Sequence, residues 1–435
     1  MSTQPPYHWI RAHGNRMDSA LRSFLFGKAH WLRYIPCTLH HKAFKTMQSF
    51  SHVPVLVQFD STQAATWHQM SQAPAFKGLN VRPNKMFSSI QTCAMKCSLS
   101  QLEELVKQPG VRKVYLDRKV HTMLNTATPT SRSPKVWSQG YRGKGVTIAI
   151  IDTGIALHPD LVDEGRLIAF KDFVNNKKEA YDDNGHGTHC AGIAAGNGGK
   201  SDGKYRGAAP AANIIGVKVL DRMGSGSLSD VIAGIEWCMN NKEKYKIKVI
   251  SLSLGSRATQ THREDPVCQI SKKAVQSGLT VVVAAGNEGP EERTISSPGI
   301  EPSVITVGAS NDKGTVTRED DSIASFSSRG PTIDRLQKPD VVAPGTNITS
   351  LRSAGSYIDK ISADQRVGQY YTTMSGTSMA TPLVAGIAAL LYDKHPDWTP
   401  AQVKKALAST ATDMKQSPQD QGSGQVQADA ASQMR

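Results

Sequence analysis

No stretch of this 435-residue chain is both long and apolar enough to cross a bilayer. The longest candidate, 379–392, falls short of the roughly 18 residues that a span needs and is interrupted by Pro382. The opening residues, MSTQPPYHWIRAHGNRMDS, carry no apolar core behind their basic positions, so no secretory signal is expected there. Cysteine is scarce. Cys37, Cys93, Cys97, Cys190, Cys238 and Cys268 show no disulfide-framework spacing, and Cys93 and Cys97 lack the second pair that a zinc site would need. Free thiols in a reducing compartment are therefore expected, which predicts a cytoplasmic protein, with release by a non-classical route left open. Aromatic residues make up only 6% of the chain while glycines number 36; that balance suits an α/β enzyme with many tight loops and argues against a coiled coil or a disordered chain. The lack of any repeat at a period of about 20–50 residues excludes a solenoid.

What is present is unevenly placed. The net charge is +14, yet residues 1–127 hold 16 Lys and Arg against 5 Asp and Glu, so the basic excess sits at the front. Nucleic-acid binding would follow from such a charge only if it surrounded the site, and the chemical motifs all lie elsewhere. Residues 1–52 read as a basic extension in which 18–34 form a basic amphipathic helix, with Leu21, Phe24, Leu25 and Leu32 on its apolar side, suited to docking on the protein and, as the alternative, to a membrane surface. Residues 53–121 read as a small α+β unit of order β-α-β-β-α-β, the split βαβ arrangement, whose readable elements include a strand at 53–59, a helix around 64–71, a strand at 86–94, a helix capped by Ser98, and a last strand at 111–120. Residues 122–133, with their small polar residues and proline, have a linker's composition. From 134 to 435 apolar strands (146–151, 214–219, 249–254, 280–285 and 304–307) alternate with helical patterns (228–240 and 272–276). That texture predicts a mostly parallel sheet covered on both faces.

Four glycine-rich segments carry chemistry. In IAIIDTG, Asp152 stands where a buried strand ends and the chain turns, the edge at which parallel sheets build sites. In DNGHGTHCAG, glycines flank His186 so that backbone and substrate can approach it, while His189 one turn later reads as a core residue; the pair lacks the glutamate and spacing of a zinc motif. In VVVAAGNEG, a buried strand delivers Asn287, whose amide can donate to an oxyanion. In SGTSMATP, Ser378 opens a buried helix, where free N–H groups and the helix dipole favour negative charge. Each segment alone reads equally as a cap or a turn. Together they supply a nucleophile, a base, an orienting acid and an oxyanion donor, in the chain order Asp, His, Ser.

Residues from about 134 to 431 resemble the subtilisin-like serine peptidase family, through the four motifs above and through VISLSLGS, KPDVVAPG and GSGQVQADAA. The resemblance implies a three-layer α/β fold with a mostly parallel, seven-stranded sheet. It implies a serine endopeptidase acting through an acyl-enzyme, with Asp152, His186 and Ser378 as the triad, Asn287 in the oxyanion hole and no cofactor in the chemistry. Gly224, Ser225 and Gly226 would form one wall pairing with an extended substrate, and Ser253, Leu254 and Gly255 the other. Ala284, Ala285 and Gly286 would floor a roomy first pocket preferring large hydrophobic residues, with Glu288 at its rim. Protein or peptide substrates are the implied partners, together with the chain's own N-terminal segment: residues 53–121 resemble the family's inhibitory propeptide, and the linker 122–133 would hold a self-cleavage point. Asp160 matches one ligand of a structural calcium site, although the companion loop at 196–204 is rich in Gly and Lys. An α/β-hydrolase would need its acid and base after the serine, and Asp393 and His395 follow Ser378 too closely. A non-catalytic protein on the same scaffold would be expected to have lost a triad residue.

Overall fold

The computed structural model describes residues 8–30, 52–59, 83–117, 119–122, 130–315 and 318–434. Two compact units divide the chain, Met1–Arg118 and Lys119–Arg435. The helix expected around 64–71 and most of the expected linker, 123–129, lie outside the described residues.

In the first unit, strands β1 (His52–Phe59), β2 (Lys85–Phe87), β3 (Thr92–Ser98) and β4 (Val111–Leu116) form an antiparallel sheet of order β2-β3-β1-β4. Ser98 caps the helix Leu99–Lys107 in a capping box with Gln101, satisfying two otherwise orphan N–H groups. Val53, Val55 and Val57 on one face of β1 pack with Leu102, Leu105 and Val106 of that helix. The front of the chain is not a separate extension. Trp9, Ile10, Met17, Leu21 and Leu25 enter this same core, and the apolar side of the helix Ser19–His30 thereby finds its cover. Arg16 donates to Val106 O and Gln108 O, taking up carbonyls that the helix end leaves free.

The second unit begins earlier than the sequence suggests. Its first strand, β5 (Lys119–Thr122), leaves the first unit's sheet because its backbone pairs antiparallel with β9 (Ser225–Ser227) and β11 (Leu254–Arg257). At the far end of the expected linker, Thr130 Oγ1 donates to Asp312 and Ser131 O accepts from Ala428 N–H. The main sheet has eight strands. Seven are parallel, in the order β7 (Leu167–Asp172), β8 (Asn213–Lys218), β6 (Thr147–Asp152), β10 (Ile247–Leu252), β12 (Thr280–Ala284), β14 (Ile305–Asn311) and β16 (Val341–Pro344). The eighth, β15 (Ser322–Ile323), is a two-residue antiparallel addition to β14 that no apolar run announces. The short β13 (Ser296–Ser297) pairs with β11 outside this sheet.

Helices cover both faces. Leu228–Tyr245 and Pro266–Gln276 pack on each other and on β6, β10 and β12, while His186–Ala195 and Thr377–Lys394 pack together across strands β6 to β16. The helix expected at 272–276 starts six residues sooner, because Asp265 accepts from Val267 and Cys268 N–H and Pro266 supplies a preset first turn. Every residue of β6 is buried. Its C-terminal end, with those of β10 and β12, makes the edge where Asp152, Ser253 and Asn287 emerge.

Asp393 and His395 serve the scaffold. One oxygen of Asp393, near the end of the helix Thr377–Lys394, accepts from Arg142, Gly143 and Lys144 N–H at 2.8–3.1 Å, and His395 bonds Ser432 O and stacks on Trp398. Asp393→Ala leaves three donors without their charged acceptor. The expected loss is about 2 kcal/mol, read as a lower denaturant midpoint; an unchanged midpoint would contradict the role.

Candidate active site

Asp152 closes β6 and His186 opens the helix His186–Ala195, and the structure joins them. Asp152 Oδ1 accepts from His186 Nδ1 at 2.7 Å and from Thr153 N–H at 2.7 Å. Both side chains are fully buried. The carboxylate fixes the proton on Nδ1 and leaves Nε2 as the basic nitrogen. Burial alone would depress the His186 pKa, but the charge and hydrogen bond of Asp152 outweigh it and hold the imidazole above its ordinary value.

Two glycines make this approach feasible. A Cβ on Gly154 would lie 2.2 Å from Tyr181 O, at a φ of +114° that side chains avoid; one on Gly187 would lie 2.2 Å from Gly154 O and 3.1 Å from Asp152 Cβ. The turns are tied by Asp182, which sequence reasoning did not single out. Its Oδ1 accepts from Thr153 Oγ1, Asn184 N–H and Gly185 N–H, and its Oδ2 from the Thr188 N–H and hydroxyl. Thr153 Oγ1 in turn accepts from Gly187 N–H at 2.9 Å. Lys218, also missed, is buried at the end of β8 opposite Asp152. Its Nζ donates to Thr153 O, Leu220 O and Asp183 Oδ1 at 2.5–2.8 Å, gathering the loops after β6, before His186 and after β8. A lysine inside an otherwise apolar strand, NIIGVK, was the available signal.

Ser378 is the second residue of its helix and is buried. Its hydroxyl donates to Ser253 O at 3.1 Å. Pro382, four residues on, has no N–H to offer Ser378 O, so that carbonyl accepts from Ser253 Oγ at 2.9 Å and from the Cys190 thiol at 3.5 Å. Cys190 Sγ also lies 3.8 and 3.9 Å from the two His186 ring nitrogens, which places the histidine and the serine side by side. Asn287 follows β12 and is half-buried. Its Oδ1 accepts from Thr377 N–H at 2.9 Å and Thr377 Oγ1 at 3.0 Å, which orients the amide and turns its N–H₂ end away from Thr377.

The remaining expected positions fall around this group. Ser225 and Gly226 in β9, and Leu254 and Gly255 in β11, face each other across β5: His121 pairs with Ser225 and Gly255, and Thr122 with Leu254. Gly224 sits buried in the turn before β9. Ala284 ends β12, Ala285 N–H donates to Val307 O, and Gly286 N–H donates to Thr377 Oγ1. Glu288 is exposed, its N–H held by Ser328 Oγ.

Asp160 does not fit a calcium site. Its Oδ1 accepts from Lys200 N–H at 3.0 Å, its Oδ2 from the Tyr371 hydroxyl at 2.7 Å, and its carbonyl from Asn197 N–H and the Arg166 guanidinium. A calcium ion needs six to eight oxygens free to face it; here protein donors, one of them cationic, already use these. Asp152, His186 and Cys190 do converge closely enough to hold a metal. Burial raises the Cys190 pKa, however, which keeps the thiol protonated and a poor ligand.

His189 is a core residue, bonded through Nε2 to Ile348 O and Thr372 O at 3.2 Å. Burial, then the neighbouring His186, lowers its pKa to about 3. Because that lies below the unfolded value of about 6.5, its contribution to stability is present above that pH and lost as pH falls towards 3. His189→Gln keeps a donor but cannot titrate, so its stability should fall less steeply between pH 6.5 and 4 in urea titrations. Equal slopes would reject this.

A family model described as the subtilase family matches residues 143–425. Serine protease AprX of Bacillus subtilis (strain 168) is 46% identical over 430 residues, 97% of each chain. Subtilisin E of the same strain is 40% identical over 336 residues, 75% of this chain and 77% of its own. M-protease of Shouchella clausii (strain KSM-K16) is 36% identical over 349 residues, 79% of this chain and 80% of its own.

Proposed function

This chain belongs to the subtilase family and is a subtilisin-like serine endopeptidase, and on that premise we propose that Ser378, His186 and Asp152 are its triad and Asn287 its side-chain oxyanion donor. The observation that carries the assignment is the buried Asp152–His186 hydrogen bond, with Cys190 Sγ in reach of both the imidazole and Ser378 O. Ser378 Oγ turns from Ser253 O towards His186 Nε2, loses its proton to that nitrogen and attacks the scissile carbonyl. Asp152 stabilises the imidazolium without taking its proton. The Asn287 amide and the Ser378 N–H, at the start of a helix, receive the oxyanion. His186 then protonates the leaving amine, and water repeats the cycle on the acyl-enzyme. A raised His186 pKa places the acid limb of kcat/KM above the pH at which a free histidine titrates, since only the neutral imidazole can act as base.

The N-terminal segment is the enzyme's own inhibitor in this reading, with a split βαβ pro-domain in the first unit, which ends at Arg118. Support comes from β5, which occupies the slot between β9 and β11 as an extended substrate would. Self-cleavage falls in the following segment. Among the described residues the five cysteines are free and buried, which supports a reducing, cytoplasmic setting. Ser378→Ala should lower peptidase activity by roughly 10⁶-fold, and its 47.0 kDa chain should stay uncut on gels and in N-terminal sequencing. A fully active wild type that also stays full-length would reject the processing step.

Specificity at the first pocket is broad, with a preference for large hydrophobic residues before the scissile bond. Gly255, Ala284 and Gly286 leave space there, and a Cβ on Gly286 would lie 2.5 and 2.6 Å from the Ser328 and Ser296 hydroxyls. The exposed Glu288 extends tolerance to Lys and Arg by only about 0.2–1 kcal/mol, the worth of a solvated ion pair. Glu288→Gln should selectively lower kcat/KM for a Lys peptide relative to matched Phe and Leu peptides, by a factor that shrinks at high salt. Equal effects on all three would assign Glu288 to the turn alone.

A further inference from the structure

One cavity near the triad belongs to none of the surfaces described so far. It holds about 350 Å³ and is lined by Asn347, Ile358, Ile361, Ser362, Gln365, Thr373, Met374 and Ser375. That volume is at the small end of ligand pockets, which start near 300 Å³, and suits one large side chain.

Its walls come from two directions, and both lead to the catalytic residues. One wall is the strand β19 (Tyr371–Met374), paired with β17 (Ile348–Leu351) and β18 (Arg366–Val367). After Met374 the chain passes through Ser375, whose hydroxyl accepts from Asn347 N–H, and reaches Ser378 three residues later. The other wall is the short helix Tyr357–Ile361, which is docked on the turn before His186. Tyr357 N–H donates to Asp183 O and Ile358 N–H to Asn184 O, both at 2.9 Å. A Cβ placed on Gly185 would lie 3.7 Å from Ile358 Cβ. The cavity is thus framed by the approach to the nucleophile and by a helix fixed to the approach to the base.

Chain direction says which part of a substrate it meets. A strand in the β5 slot runs from Ser227 towards Ser225 on one side and from Gly255 to Leu254 on the other. It therefore advances on Ser253, whose carbonyl holds the Ser378 hydroxyl. Residues before the scissile bond lie against β9, β11 and the floor at 284–286, and none of these lines the cavity. What lies past Ser378 is the leaving side.

The geometry points to this cavity as a specificity pocket for a large uncharged side chain, Phe or Tyr above all, within the first two residues after the scissile bond. Ile358, Ile361 and Met374 supply its apolar surface, and no lining residue is ionisable. Asp359, beside Ile358 in the chain, is neutralised by Arg352 at 2.5 Å and Arg366 at 2.8 Å, and Asp364 is held by the amide of the lining Gln365 at 2.8 Å. Ile361 is 61% exposed, an apolar side chain left in water until a substrate covers it. This inference rests on Ser378 forming the acyl-enzyme, and its test separates the two.

The active enzyme is acylated by one peptide ester, and the acyl-enzyme is offered the amides Gly-X-NH₂ and X-Gly-NH₂ with X as Gly, Phe, Asp or Arg. The ratio of aminolysis to hydrolysis is read, so changes in acylation cancel. Wild type should favour Phe over Gly, Asp and Arg by about tenfold at one of the two positions, the scale of hydrophobic-pocket discrimination. Two substitutions at the exposed Ile361 should redirect it: Ile361→Asp should lose the Phe advantage and gain for Arg, and Ile361→Lys should gain for Asp. Ratios independent of X, or unmoved by both substitutions, would overturn the pocket. Failure of the Ser378 reading would show separately, as ester hydrolysis that survives Ser378→Ala.

Discussion

A single buried carboxylate holds the site in register. Asp182 accepts five hydrogen bonds: from the side chain that follows Asp152, from the turn into the His186 helix and from that helix's first turn. Burial pushes its pKa above the ordinary carboxylate range in spite of the donors from Thr188 and Gly185. Without it, the Thr153 and Thr188 hydroxyls and three backbone N–H groups would be stranded in the interior, each at the cost of an unmade buried hydrogen bond. The Asp152–His186 pair needs two separate chain segments to meet within a fraction of an ångström, and Asp182 and Lys218 supply that from opposite signs of charge.

The second constraint is steric. The helices carrying His186 and Ser378 pack together through small residues, where a Cβ on Gly386 would lie 2.6 Å from Ala194 O; on its other side the His186 helix lies so close to β17 that a Cβ on Gly192 would be 2.4 Å from Leu351 Cγ. Close packing of the two helices brings Cys190 between the histidine and the serine. The proline in the second helix then acts by subtraction, since the carbonyl it frees is taken up by Ser253 and Cys190, and this fixes the Ser378 backbone from outside the helix.

Much of this was legible because buried parallel strands write themselves as apolar runs and sites write themselves as glycines around one polar residue. Asp152, His186, Asn287 and Ser378 each stand in such a context, and all four come to one sheet edge. What stayed hidden had weaker or different signatures. β7 is only partly buried and so has no continuous apolar run, and β15 has two residues. Asp182 looks like an ordinary surface charge until the fold buries it, and Lys218 is marked only by its place in an otherwise apolar strand. Asp160 looked like a cation ligand because a carboxylate on a loop carries no sign of its donors, and those, Tyr371 and Lys200, lie far along the chain. The unit boundary at 118 has no mark in the sequence, because the pairing of β5 depends on strands more than 100 residues away.

That pairing also sets how concentration enters. In the inhibitory reading proposed above, a strand delivered to its slot by the same polypeptide competes with substrate at an effective concentration on the order of millimolar, whatever the amount of protein present. Once the connection is severed, the same strand becomes a separate molecule and its hold obeys ordinary mass action, weakening with dilution. On that proposal, one peptide bond divides a regime in which activity is insensitive to how much enzyme has accumulated from one in which crowding restrains it and dispersal releases it.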